Sequence, residues 1–245
     1  MDIMDHSLRF ETIQLHAGQE RPDPATGARA VPIYQTSSYV FDSAAQGAGR
    51  FALEEGGYTY SRISNPTCAV FAARVNAMDG GVGAVAFASG AAAIAFGILG
   101  LCRAGDHIVA ATNIYGGTYS MMANTLPAYG IGCTFVDTRQ PGALEEAIKE
   151  ETRLVFIETL GNPNCDVTDV EEAAGAAHRH AIPLMVDNTF ATPYLFRPLE
   201  HGADIVAHSA TKFLGGHGTT IGGVLVDGGC FDWETSGKFP CLVEP

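Results

Sequence analysis

From about residue 60 onward, short apolar runs alternate with helix-like stretches, and this rhythm limits the chain to very few architectures. Strand candidates are residues 84–88, 107–111, 134–136, 154–158, 183–186, 205–207 and 223–226. Helix candidates are residues 67–78, 91–101, 119–129, 142–150 and 170–180. A β-α-β succession with uninterrupted apolar strands predicts a mostly parallel seven-stranded sheet with helices on both faces. Residues 1 to about 60 differ. They carry Pro22, Pro24 and Pro32 and several glycines with weak periodicity, which predicts an extended arm, leaving residues 61–245 as the main domain. At the other end, Lys238 to Pro245 shows no helix or strand pattern and reads as a cut rather than a natural terminus.

Composition narrows the class. Hydrophobic residues make up 47% of the 245 and charged residues 17%, which fits a chain able to bury a core. The formal net charge of −13 argues against nucleic-acid binding, which needs an excess of Lys and Arg. An anionic ligand can still be held by backbone N–H groups and one arginine. Cys68, Cys102, Cys133, Cys165, Cys230 and Cys241 form no C-x-x-C pair, so they read as reduced thiols of a cytoplasmic protein. The N-terminus lacks the basic region and apolar core of a signal peptide. Residues 80–102 carry no charge and are long enough to span a bilayer, but they are rich in Ala and Gly and break at Ser89-Gly90, so a buried strand and helix are expected.

In parallel sheets ligands collect beyond the carboxyl ends of the strands. Ser89, Gly90 and Ala91 follow the first strand and open a helix. Glu158 ends a strand, with Asn162 in the next turn. Asp187 ends another, and Ser209, Thr211 and Lys212 follow the run 205–207 ahead of a glycine-rich loop. Taken singly each has an ordinary explanation: a lysine after a strand is usually solvated, an Asp often caps the next segment, and Tyr115-Gly-Gly can be a plain turn. Together they match what pyridoxal 5'-phosphate (PLP) requires. Lys212 supplies an amine for a Schiff base and Asp187 a carboxylate for the ring nitrogen. The Gly90 and Ala91 amides with Ser209 and Thr211 supply a phosphate cradle, and Tyr115 supplies an aromatic face.

Other chemistries find no support. No P-loop and no G-x-S-x-G elbow is present, and Gly80-Gly-Val-Gly precedes a strand instead of following one. His178 and His180 stand two apart on a helix and face different ways, so no metal site is expected.

The blocks Tyr58-Thr-Tyr-Ser-Arg-Ile-Ser-Asn-Pro-Thr67, Phe87-Ala-Ser-Gly90, Tyr115-Gly-Gly-Thr118, Glu158 with Asn162-Pro163, Val186-Asp-Asn-Thr-Phe190 and Ser209-Ala-Thr-Lys212 resemble, in order, the Cys/Met-metabolism family of PLP enzymes. The family includes cystathionine γ-synthase, cystathionine and methionine γ-lyases and O-acetylhomoserine sulfhydrylase. The resemblance implies the large domain of a fold type I (aspartate aminotransferase-like) PLP-dependent transferase. It implies that Tyr60 and Arg62 reach the cofactor phosphate of a neighbouring subunit, so that a homodimer is the active unit and a homotetramer the assembly. It also places Tyr115 on the ring, Asn162 near the 3′ oxygen and Glu158 in the surrounding polar shell.

Within the family, Lys212-Phe-Leu-Gly-Gly-His-Gly-Thr-Thr-Ile-Gly-Gly-Val-Leu-Val-Asp-Gly-Gly is most similar to O-acetylhomoserine sulfhydrylase. Gly117 stands where methionine γ-lyases usually carry cysteine, and Ala91 replaces a bulkier residue common after Ser-Gly. The implied reaction is γ-replacement: Lys212 moves protons at Cα and Cβ, Asp187 holds the pyridinium that stores electrons, acetate leaves Cγ, and sulfide or a thiol adds to give homocysteine or methionine. The alternatives are γ-elimination, or an inactive fragment, since family members also carry a C-terminal small domain with an arginine for the substrate carboxylate.

Overall fold

A computed structural model describes residues 8–243. The chain divides into two compact units at residues 77 and 78. The first contains α1 (Phe10–His16), α2 (Ala44–Phe51) and most of α3 (Pro66–Asp79). The segment expected to be an irregular arm thus holds two short helices. Ser43 caps α2 by accepting from Gln46 N at 3.1 Å, and Gln46 Oε1 accepts from Asp42 N at 2.8 Å. Elsewhere in this unit the irregular backbone is tied by side chains. Thr67 Oγ1 donates to Pro32 O and accepts from Tyr34 N, each at 2.9 Å, and Asn65 Nδ2 donates to Tyr34 O at 2.8 Å.

The second unit runs β1 (Gly83–Phe87), α4 (Gly90–Leu101), β2 (His107–Ala111), α5 (Gly116–Ser120), a π turn (Met121–Thr125), α6 (Leu126–Ala128), β3 (Gly132–Val136), α7 (Ala143–Glu146) and β4 (Thr152–Glu158). It continues with α8 (Val170–Arg179), β5 (Leu184–Asp187), α9 (Thr192–Leu195), a 3₁₀ turn (Pro198–His201), β6 (Ile205–His208), β7 (Gly223–Asp227), α10 (Trp233–Ser236) and α11 (Pro240–Val243). One seven-stranded sheet has the order β1-β7-β6-β5-β4-β2-β3. All seven sequence-predicted strands form. β2 and β5 are buried at every residue and β4 at all but one, which is why they read as unbroken apolar runs.

The sheet is mostly parallel, as expected, and within this unit the structure departs from expectation at three helical segments. β7 pairs antiparallel with both β6 and β1, so it alone runs against the other six strands. The loop between β6 and β7 contains no crossover helix, and without one the chain returns antiparallel. The helix expected over 119–129 is interrupted by the π turn, where Leu126 N reaches back to Met121 O and the next residue, Pro127, has no N–H to offer. Of the helix expected over 142–150, only α7 forms. The segment from Lys238, expected to be patternless, forms α11, which together with the unpredicted α10 rests on an aromatic cluster. Trp233 and Phe239 have ring centroids 5.2 Å apart, Phe231 lies 4.7 Å from Trp233, and Phe239 is buried. The uncharged run 80–102 splits into β1 and α4, and among the described residues no helix is long and apolar enough to cross a membrane.

The start of β7 is pressed against the turn before α4. A Cβ built on Gly223 falls 2.1 Å from Ser89 O. Backbone stands on both sides, so relief requires a shift of strand or helix. Gly223→Ala is predicted to destabilise the chain by at least about 2 kcal/mol. A lowered urea midpoint checks this; an unchanged midpoint contradicts it.

Candidate active site

Because β1, β4, β5 and β6 share one direction, the residues that follow their carboxyl ends gather along one edge of the sheet. Ser89 lies just beyond β1. Its hydroxyl accepts from Ala92 N at 3.1 Å and caps the twelve-residue α4. Gly90, the first residue of α4, has to be glycine: a Cβ there falls 2.4 Å from Ser209 Cβ and 2.7 Å from Ser209 Cα. This contact brings the N-terminus of α4 against the loop after β6.

That loop is built from backbone turns. Lys212 N donates to Ser209 O at 3.1 Å, Gly215 N to Ala210 O at 2.9 Å and Gly216 N to Lys212 O at 2.8 Å. Thr211 Oγ1 accepts from Gly222 N at 3.1 Å and donates to Gly222 O at 3.3 Å, which closes the base of the loop. These bonds fix the position of Lys212 and leave its amine unused by the turn.

β4 and β5 end on register partners, Glu158 and Asp187, and both are almost fully buried. Glu158 Oε1 accepts from Tyr115 N at 2.6 Å, tying the turn after β2 to the end of β4. Asp187 Oδ1 accepts from Thr189 N at 3.0 Å and Thr189 Oγ1 at 2.5 Å. The Thr189 hydroxyl also accepts from Ser209 N at 2.8 Å, joining the ends of β5 and β6. Burial pushes the Glu158 carboxyl up to about 8, helped by the neighbouring charge of Asp187. Burial also raises Asp187, against the opposing pull of its Thr189 hydrogen bonds and the charge of His208.

These groups surround one cavity of about 560 Å³. Ten sequence-predicted residues line it: Ser89, Gly90, Ala91, Tyr115, Glu158, Asn162, Asp187, Ser209, Thr211 and Lys212. Tyr60 and Arg62 lie in the first unit, where the Arg62 guanidinium stands 5.2 Å from the Tyr60 ring centroid. The sequence reading missed Thr189, Phe190 and Phe213, which also line the cavity; the two phenylalanines meet edge to face at 5.6 Å. Thr189 and Phe190 were visible as part of the Asp-Asn-Thr-Phe block, but nothing in the block says that a hydroxyl bridges two strands. Asp79 and His208, fully buried and 2.8 Å apart behind the end of β6, were missed as well.

The donor set tests what could fit. Two buried carboxyls face a cavity in which Lys212 is the only basic residue among the described lining residues. Such a site is short of positive charge and favours a ligand with a cationic ring nitrogen. The capped N-terminus of α4, beside Ser209, offers free N–H groups to a phosphate. A phosphorylated pyridine aldehyde meets both demands and gives the Lys212 amine a partner.

The fold and this cavity define the large domain of a fold type I PLP-dependent transferase. A sequence profile of Cys/Met metabolism PLP-dependent enzymes matches residues 11–241, and the chain belongs to that family, whose cofactor is pyridoxal 5'-phosphate. It is 52% identical over 241 residues to homocysteine synthase of Schizosaccharomyces pombe, covering 98% of this chain and 56% of that protein. It is 49% identical over 244 residues to O-acetyl-L-homoserine sulfhydrylase of Leptospira meyeri, covering 100% of this chain and 55% of that protein. A crystal structure described as an O-acetylhomoserine (thiol)-lyase of Campylobacter jejuni, with a pyridoxyl-lysine monophosphate, superposes with a TM-score of 0.88 at 37% identity, over 91% of this chain and 55% of that one. The chain therefore spans about half the length of the curated relatives it matches.

Thr189→Val removes a donor from the buried Asp187 and the acceptor of Ser209 N. A loss of about 1–3 kcal/mol is predicted. Chemical denaturation checks it; a variant as stable as wild type would show that the bridge contributes nothing.

Proposed function

We propose that this chain carries the cofactor site of an O-acetyl-L-homoserine sulfhydrylase, replacing the acetyl group of O-acetyl-L-homoserine with sulfide or a thiol to give homocysteine or methionine and acetate. The observation that carries the reading is the convergence of Lys212, Asp187, Tyr115 and the α4 N-terminus on one cavity. The naming of relatives near 50% identity supports the substrate.

Bound pyridoxal phosphate supplies an aldehyde that condenses with amines and a ring that withdraws electrons from bonds at the substrate Cα. The residues of the chain provide the rest. Lys212 would offer its amine to the aldehyde and, when free, would carry protons between the substrate Cα and Cβ. Asp187 would keep a proton on the ring nitrogen. Tyr115 would cover the ring, Asn162 would serve its 3′ oxygen, and Glu158 would belong to the polar shell around it. The Gly90 and Ala91 amides, with the hydroxyls of Ser89, Ser209 and Thr211, take the phosphate. Phe190 and Phe213 give the cavity an apolar wall that excludes water while acetate departs.

In this reading residues 1–60 are an arm contacting the neighbouring subunit and residues 61–245 the PLP-binding large domain. Tyr60 and Arg62 complete the phosphate site of the partner copy, so the active unit is a homodimer, paired into a homotetramer. Six free cysteines support a reducing, cytoplasmic location.

Incubation of the PLP-loaded protein with O-acetyl-L-homoserine tests the reading. Homocysteine and acetate are expected only when sulfide is added. Formation of 2-oxobutanoate and ammonia regardless of sulfide would identify elimination instead. Lys212→Ala is predicted to lower turnover by at least about 10³-fold and to abolish the yellow absorbance of the loaded protein; retention of both would defeat the assignment.

A further inference from the structure

Glu158 does more than line the cavity. It ends β4 beside Asp187 at the end of β5, in register, about 4.8 Å away at the backbone. Both carboxyls are buried, at 5% and 8% exposure. Glu158 Oε1 also accepts the N–H of Tyr115, the one aromatic residue in the turn between β2 and α5. Glu158 thus neighbours the carboxyl expected to face a ring nitrogen and, by its own hydrogen bond, holds the backbone that carries the tyrosine expected to cover the ring.

The charges facing this pair are few. Lys212 comes from the loop after β6. His208, at the end of β6, is engaged at 2.8 Å by Asp79 from the end of α3. Tyr115 faces it from the turn after β2. Two buried carboxyls one strand apart cannot both ionise without a large cost, so they titrate as a unit.

We infer that Glu158 is a proton-linked positioning residue: the Glu158–Asp187 pair holds one proton, a cationic ring nitrogen bound against Asp187 expels it, and the resulting Glu158 carboxylate tightens its hydrogen bond to Tyr115 N, settling the tyrosine over the ring. This rests on the cofactor site proposed above. Proton and charge balance: the proton goes to solvent, the ring cation replaces it, and no covalent bond changes. Burial and the charge of Asp187, which hold Glu158 near 8, set the window. Below about pH 8 the free pair carries the proton and binding releases it. Above that value the proton is already gone. Affinity for the cationic ring therefore rises with pH up to about 8 by as much as about tenfold per pH unit, and above that value the carboxyl pair adds nothing further.

The probe is pyridoxine 5'-phosphate, which has the ring and phosphate but no aldehyde, so Lys212 forms no bond to it. Calorimetric titration in buffers of different ionisation enthalpy counts the protons released. At about pH 7 wild type is expected to release about one proton more than Glu158→Gln, and at about pH 9 the difference vanishes. Equal counts at the lower pH, or a difference that persists at the higher one, overturn the inference. Infrared difference spectra of wild type give a second reading that needs no variant. Loss of a protonated-carboxyl band on binding is expected, and a difference spectrum without it also overturns the role. If wild type binds the probe with equal proton counts, the site stands and the role of Glu158 falls. If wild type does not bind at all, both fall.

Discussion

The site depends on the parallel register of β4, β5 and β6. Glu158 pairs with Asp187, and Asp187 pairs with Ala207, so three strand ends stop level with one another. A slip of one residue in β5 would turn Asp187 to the other face of the sheet and put Val186 or Asn188 in its place. Register is held by burial: the paired segments of β4 and β5 lie almost wholly in the core, where a shift would expose apolar side chains or bury polar ones without partners.

A second tier of contacts converts this level edge into a binding cavity. Gly90 lets α4 touch Ser209, Gly223 lets β7 approach Ser89, and Thr189 bridges Asp187 to the backbone of Ser209. The carboxyl pair is costly to bury, and among the described residues it forms no ion pair with a lysine or arginine in return. Such a cost is the mark of a binding site, where the compensating charge arrives with a ligand. The sheet core offsets it, as the buried strands β2, β4 and β5 supply half of the largest fully buried side chains among the described residues.

Much of this was legible in the sequence, for physical reasons. Strands buried on both faces appear as continuous apolar runs, so β2, β4 and β5 could be located to within two residues of their ends. The site residues could be grouped because the parallel-sheet rule brings strand ends together. Features set by pairing or packing were not legible. The direction of β7 follows from a loop that turns back without a helix. The π turn follows from the missing donor of Pro127. Helices α10 and α11 are four residues each and rest on Phe231, Trp233 and Phe239 rather than on helical periodicity. The neighbour relation of Glu158 and Asp187 is a matter of strand register, which no local sequence pattern encodes.

The central claim is that Lys212 is the residue to which the cofactor attaches. Loading the chain with pyridoxal 5'-phosphate, reducing it with borohydride and mapping the peptides tests this directly. The account predicts one pyridoxyl group per chain, on Lys212. A label on Lys149 or Lys238, or no stable label, would contradict it.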